Sequence, residues 1–272
     1  MLFRSTCPNH KELKKYIQYI LFNKSTDAAN KSSFTSFPNN NITLCIVQGK
    51  QVIRDVSSNS YQEKKAITSY LTGLYMKPNS FHVEGELDEI CIEFTVAGYY
   101  RFFPFPSRKF MLTDDILTEA FGKESVFFFE NVFEEPDFDR RADLIESFLA
   151  RNLRDHKTSF IENVINSIDH YGFTKLEEVK TYFNCSEKKL YRAFKEYYEL
   201  SPKEYLQLLR FRRSLMEIND LRNHSLTDIS YKCGYYDQSH FIKEFKRFSD
   251  TNPKILRDQI RDIDGNVLIT VS

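Results

Sequence analysis

The sequence predicts an α+β N-terminal domain, a small β-sheet or barrel with helices, followed by an all-α domain with two helix-turn-helix units joined by a linker helix. Three observations carry this. At roughly 100–200 residues per domain, a chain of 272 residues favours two domains. Residues 41–96 break into short β-branched and aromatic runs between Gly, Asn, Pro and Ser clusters. From residue 159 onward apolar residues recur at helical spacing, and one pattern of short helix, turn and second helix returns about 51 residues later.

The strand-like runs are NITLCIVQ, QVIRDV, AITSYLTGLYM and DEICIEFTV. In the last, Ile90, Ile92 and Phe94 alternate with Cys91 and Glu93, as a strand with unequal faces requires. After Gly98 the pattern turns helical. TDDILTEAFG offers an N-cap at Thr113, acids in its first turn and a stop at Gly122. FDRRADLIESFLARNL repeats Leu144, Ile145, Phe148 and Leu149 at helical spacing. The polar stretch NLRDHKTS places a boundary near 152–158, giving an N-terminal unit 1–155, a helical unit 156–262 and a tail 263–272.

In the helical unit, Ile161, Val164, Ile165 and Ile168 share one face of a helix that stops at Gly172. A short helix over Leu176–Phe183, a turn at Asn184–Cys185 and a helix capped by Ser186 follow, then a longer helix after Pro202 through Tyr205–Ile218. Thr227–Lys232 and Asp237–Phe248 repeat the first arrangement, and Pro253 opens a last helix. Shifted by 51 residues, Leu190 meets Phe241, Phe194 meets Phe245 and Pro202 meets Pro253. Before the turn the shift is 50, so that Asn184 meets Gly234.

Composition sets the outer bounds. With 41% hydrophobic residues and only 8 Gly and 8 Pro, disorder and collagen-like repeats are excluded. Lys+Arg and Asp+Glu are both 38, so binding to nucleic acid has to rest on local clustering of charge. Cys7, Cys45, Cys91, Cys185 and Cys233 are scattered, with no C-x-x-C pair. They read as free thiols in a reducing compartment, not as a disulfide framework or a zinc site. The first residues, MLFRSTCPNHKELKKYIQYILFNK, are too interrupted by charge for a signal peptide, and no run reaches the roughly 20 apolar residues of a membrane helix. The expectation is a cytoplasmic protein with no membrane partner.

Each second helix buries one face and leaves the other for a partner. In the first, Leu190, Ala193, Phe194 and Tyr197 point inward, while Glu187, Lys188, Tyr191, Arg192 and Lys195 remain outside. In the second, Phe241, Ile242, Phe245 and Phe248 point inward and Gln238, Ser239, His240, Lys243 and Lys246 remain. Gln and Arg offer bidentate contacts to base edges and Lys neutralises phosphate. Solvated helix faces are the alternative for either unit alone; two units with matched turns favour DNA.

Residues 159–261 resemble the DNA-binding domain of the AraC/XylS family of transcription regulators. The match rests on SLTDISYKCGYYDQSHFIKEFKRFSDTNPKILR at 225–257 and on LEEVKTYFNCSEKKLYRAFKEYYELSPKEYLQLLRFRRSLMEI. The resemblance implies two recognition helices in successive major grooves of promoter DNA, about one helical turn apart. Its usual base-contacting positions fall on Lys188, Tyr191 and Arg192, and on Gln238, Ser239, His240 and Lys243. It also implies activation through RNA polymerase, and an N-terminal domain for an effector or for homodimerisation. Lys180 departs from the family's small residue at the first turn, and Glu199 and Asp250 from a frequent Gly at the end of the recognition helix. Residues 158–272 hold 18 basic and 17 acidic residues, so non-specific DNA affinity is expected to be modest. Arg210, Arg212 and Arg213 either add phosphate contacts or pair within the protein.

In the first half, His10 and His82 are too few histidines for a cupin-like metal centre, so no metal and no cofactor are expected. The cluster Tyr99, Tyr100, Phe102, Phe103, Phe105 and Phe110, with Arg101 and Arg108, reads either as an effector pocket centred on Tyr99, Tyr100, Arg101 and Phe103, or as core between sheet and helices. FFFE at 127–130 reads as core, and the acidic stretch NVFEEPDFD at 131–139 as a solvated loop. The tail DIDGNVLITVS either joins a sheet edge or stays free. Cys45 and Cys91 lack an adjacent His, which argues for buried, inert thiols and against a reactive-cysteine enzyme. No catalytic set stands out. A sequence-specific regulator is the leading reading, with a protein-interaction regulator carrying a weak DNA-binding domain as the alternative.

Overall fold

A computed structural model describes the chain apart from residues 55–57, 65, 74, 104–114, 156, 158, 199, 221–224 and 272, and apart from the side chains of 54 and 220. Thr113, Phe105, Arg108, Phe110 and Glu199 therefore lie outside the described residues. The described strands form two sheets. The first is ordered β1-β2-β9-β4-β7, from β1 (Leu2–Thr6), β2 (Ile17–Ser25), β4 (Ile42–Gln48), β7 (Thr68–Gly73) and β9 (Leu87–Phe94). The second is ordered β10-β11-β3-β8-β6-β5, from β3 (Lys31–Ser36), β5 (Lys50–Arg54), β6 (Ser58–Glu63), β8 (Asn79–Glu84), β10 (Ile260–Ile263) and β11 (Val267–Val271). Only the β6–β8 pairing is parallel among the described ladders.

The alternation in β9 decides how the first sheet sits. Ile90, Ile92 and Phe94 are fully buried on one face, where Ile92 lies between Ile20 and Leu44, and Ile90 between Phe22 and Ile46. Because successive side chains point to opposite faces, Glu89, Cys91 and Glu93 turn the other way, toward the second sheet. The apolar face packs on helices; the polar face lines the space between the sheets.

Helix α1 (Val96–Phe102) begins at Thr95, whose side chain accepts from the Gly98 amide. A Cβ at position 98 would stand 2.0 Å from the Tyr16 carbonyl oxygen, so glycine alone permits this approach of helix and strand. Then come α2 (Ile116–Phe121), capped by Asp115, α3 (Glu124–Glu134) and α4 (Phe138–Arg151), capped by Asp137. Two expectations change here. Phe129 is core but Phe127 is 65% exposed, because the helical turn carries neighbouring positions to different faces. The acidic stretch also is not one loop: Asn131–Glu134 complete α3 and Asp137 starts α4.

Among the described residues, the remaining elements as far as residue 259 are helices. Helix α5 (Phe160–Tyr171) carries a Ser159–Glu162 capping box and ends at Gly172 with φ +69°. The first unit is α6 (Leu176–Tyr182) and α7 (Glu187–Tyr198), the second α9 (Leu226–Lys232) and α10 (Gln238–Ser249), with α8 (Pro202–Asp220) between them and α11 (Pro253–Gln259) last. Both turns use a left-handed residue at the aligned position, Asn184 at φ +42° and Gly234 at φ +79°. Asn and Gly bear that conformation at lowest cost. Asp250 also adopts φ +54° where α10 ends. Lys180, the other departure, reaches Glu177 on its own helix at 2.8 Å.

The tail joins the first half. β10 and β11 form a hairpin, and Ile269, Thr270 and Val271 pair with Ser36, Thr35 and Phe34 of β3. The Ser5 amide donates to Asp264 at 2.7 Å, fixing the turn of this hairpin to β1. One continuous apolar core runs from the back of the first sheet through α1 to the helix-turn-helix units, with Tyr100 of α1 edge-on to Tyr197 of α7 at 5.6 Å.

Candidate nucleic-acid interface

Each recognition helix is seated on α8 through aromatic rings. Phe194 of α7 meets Tyr205 at 5.4 Å between centroids, while Phe245 and Phe248 of α10 meet Phe211 at 5.1 Å each. Leu190, Phe194, Phe241, Phe245 and Phe248 are at most 1% exposed, as the sequence pattern requires; Ala193, Tyr197 and Ile242 are only half-buried, and Tyr198 rather than Tyr197 is the buried tyrosine of α7. At about 1.5 Å per residue, the 19 residues of α8 span roughly 28 Å, of the order of one turn of B-DNA.

The outward residues form two short polar faces. On α7, Lys188, Tyr191, Arg192 and Lys195 are exposed, and the Lys195 ammonium lies 5.8 Å from the Tyr191 ring centroid. Lys189 leans over Phe160 at 4.2 Å, which turns it toward α5. On α10, Gln238, Ser239 and Lys243 are exposed and His240 is half-buried. Asp237 caps the helix by accepting from the His240 amide at 2.7 Å, while Thr227 donates to the Gln238 carbonyl oxygen at 2.8 Å. The Gln238 amide group is thereby oriented. His240 packs at 5.5 Å from Tyr235 and 3.7 Å from Glu244, and its Nδ1 accepts from the Tyr236 amide. It is positioned from three sides.

The linker arginines turn inward. Arg210 donates through Nε and Nη2 to buried Glu244 of α10 at 2.8 and 2.7 Å and lies over the Tyr235 ring. Arg213 faces Asp169 of α5. Arg212 reaches the space between the sheets, where it faces Glu93, Tyr19 and Tyr75. Arg210 is thus paired within the protein, while Arg212 and Arg213 are half-buried.

That space is a cavity of about 70 Å³. Its floor is the polar face of the first sheet, its roof includes Phe34 and Phe81, and Arg212 with Val267–Ile269 closes it from the C-terminal half. Glu93 accepts from Thr43 at 2.5 Å, and burial pushes its carboxyl up to about 7 against the pull of Thr43 and Arg212. Glu89 accepts from Asn23 at 2.7 Å, Tyr61 at 2.9 Å and Tyr70 at 2.8 Å, and burial raises its carboxyl. Cys45 and Cys91 face each other across β4 and β9 with Sγ atoms 3.6 Å apart. The sequence reading missed this cluster, because its members come from separate strands and only the pairing register brings them together.

The aromatic set of α1 lies elsewhere. Tyr99 and Phe103 are fully buried and stacked at 4.7 Å, and Tyr100 is 8% exposed. Arg101 lies over Tyr16, and its carbonyl accepts from the Arg154 amide. These four pack between sheet and helices, and none lines the cavity.

Residues 180–259 match the family described as a helix-turn-helix domain. The HTH-type transcriptional activator RhaS of Escherichia coli (strain SMS-3-5 / SECEC) is 32% identical over 139 residues, 46% of this chain and 49% of that protein. RhaS of Klebsiella pneumoniae (strain 342) is 37% identical over 84 residues, 30% of this chain and 29% of that protein. The chain thus spans about half the length, or less, of these curated relatives. Among solved structures, ToxT from Vibrio cholerae aligns with a TM-score of 0.45 at 9% identity, over 95% of this chain and 98% of that one. With paired units, left-handed turns and matched sequence in the same stretch, residues 180–259 of this chain form a helix-turn-helix domain.

Proposed function

We propose that this chain is a DNA-binding transcription regulator, an activator as the named relatives are, that reads two successive major grooves with α7 and α10. The carrying observation is the seating of both recognition helices on one α8, with Lys188, Tyr191, Arg192 and Lys195 on one outward face and Gln238, Ser239, His240 and Lys243 on the other. Arg192 and Gln238 are the side chains suited to bidentate base contacts; the lysines serve phosphate or guanine.

Control is assigned to the cavity between the sheets rather than to the aromatic residues of α1. Its walls come from both halves of the chain, so an occupant bears at once on the barrel, on α8 through Arg212, and on the C-terminal hairpin. An occupant that favours one arrangement of these walls shifts DNA affinity by its differential affinity.

The test is selection from a random DNA pool with the full chain, then titration of the best site at several salt concentrations. A two-part motif with halves about one helical turn apart is the expected result. With Arg210 engaged by Glu244, the salt slope reports mainly the few cations on α7 and α10 and is shallow. Absence of any enriched sequence overturns the reading in favour of a regulator that acts through protein contacts.

A further inference from the structure

We propose that Cys45, Cys91 and Glu89 form a binding site for a thiophilic divalent cation of the zinc class between the two sheets. Their ligand atoms all lie within 4.8 Å of one another. Two thiolates held about 2.3 Å from a tetrahedral ion stand about 3.8 Å apart, and the two Sγ atoms here are 3.6 Å apart. A disulfide requires the same atoms at about 2.05 Å, a much larger closure.

The surroundings are those of a ligand set. Glu89 is held by Tyr61, Tyr70 and Asn23, the kind of outer hydrogen bonding that aims a carboxylate at a metal. Among the described residues it enters no ion pair, although it is 1% exposed. Asn23, also 1% exposed, donates through its Nδ2 to Glu89 and turns the same atom toward Cys91 Sγ at 3.9 Å, which holds the cluster together from one side. The cavity adds a size argument. At about 70 Å³ it admits an ion with a water or two, whereas pockets for metabolites run to several hundred Å³. Paired sulfur ligands select zinc-like ions over magnesium or calcium. On binding, both thiols lose their protons to solvent and the two thiolates and the carboxylate bond to the ion.

As a deepening of the proposed control site, this rests on that reading for its regulatory meaning, though ion binding is measured separately. The experiment titrates reduced, metal-free full-length protein with Co²⁺, follows the thiolate-to-cobalt charge-transfer band in the near ultraviolet, and displaces it with Zn²⁺. One Co²⁺ per chain is expected, with affinity lowered more than ~100-fold in Cys45→Ser and Cys91→Ser and less in Glu89→Gln, while Cys7→Ser and Cys185→Ser leave it unchanged. No band from folded wild-type protein, or a band that survives the Cys45→Ser/Cys91→Ser double variant, overturns the site. If those variants fail to fold, alkylation of the wild-type protein decides: Zn²⁺ should protect Cys45 and Cys91 but not Cys7, and equal labelling overturns the site. A Cys45–Cys91 disulfide formed with peroxide in a protein that takes no metal also overturns it. Stoichiometric binding that leaves DNA affinity unchanged sustains the site and removes the control role.

Discussion

Glu244 ties the second recognition helix to the linker helix, and its removal makes the most direct test of how the DNA-reading face is held. Its side chain is 5% exposed and accepts from Arg210 Nε, Arg210 Nη2 and Gln207 Nε2 at 2.8, 2.7 and 3.1 Å; the Arg210 side chain is 18% exposed. Glu244→Ala deletes the acceptor and leaves a guanidinium largely out of water with no counter-charge. Removing one partner of such a pair costs about 3–5 kcal/mol, because the stranded charge keeps its desolvation penalty. Arg210→Met/Glu244→Leu removes both charges and supplies apolar volume in their place, so it should cost less than Glu244→Ala alone. Urea unfolding midpoints of Arg210→Met, Glu244→Leu and their double variant give the coupling directly. A loss below about 1 kcal/mol for Glu244→Ala, or a double variant equal to the sum of the singles, refutes the argument. The salt slope of DNA binding supplies a separate check, since an inward Arg210 contributes no phosphate contact and Arg210→Met should leave the slope unchanged.

Arg192→Ala should weaken specific DNA binding by about 1–3 kcal/mol and relax selectivity in one half of the site only, as read by competition between mutated half-sites. Phe245→Ala should cost about 3–5 kcal/mol of stability, because the ring is fully buried against Phe211 and Phe241 and its loss leaves a cavity; thermal unfolding checks this. Asp250→Gly should raise stability by about 0.5–1 kcal/mol, since glycine adopts the φ of +54° without strain. The Lys77–Asp250 pair lost with it is exposed on both sides and contributes little. A lower unfolding midpoint for that variant contradicts the cap argument.

The helical half was legible because its information is local. The cap at Ser186, the stop at Gly172 and the inward stripe of α10 follow from spacings of three and four residues, and the repeat aligned Asn184 with Gly234, whose shared left-handed backbone only the fold displays. The barrel was harder. Four runs were readable as strands, but IQYILFNKS of β2 is apolar on both sides of the alternation, and its place between β1 and β9 is a non-local pairing. The same limit hid the interior cluster. Alternation in β9 disclosed a polar face, yet a polar face ordinarily meets water, and only the packing of the second sheet and the tail over it turns Glu89 and Cys91 inward. For Arg210 of α8 the sequence left two readings open, and the choice between them depends on Glu244, which lies on another element 34 residues away.

Under the proposed function, α8 is the element that joins the cavity to the second recognition helix. Arg212 touches the cavity, and Arg210 two residues earlier on α8 grips Glu244 of the recognition helix, on the element that also seats Phe194 and Phe245 through Tyr205 and Phe211. A shift of α8 that follows Arg212 would also carry Arg210, which holds Glu244 of α10 at 2.8 and 2.7 Å. The hairpin supplies a second connection, because β11 roofs the cavity while its chain returns directly from α11. Linkage then runs both ways: whatever the cavity holds more tightly in the DNA-bound arrangement is itself held more tightly when DNA is present, by the same factor. Measuring the occupant's affinity with and without the selected site therefore tests the route without reference to transcription.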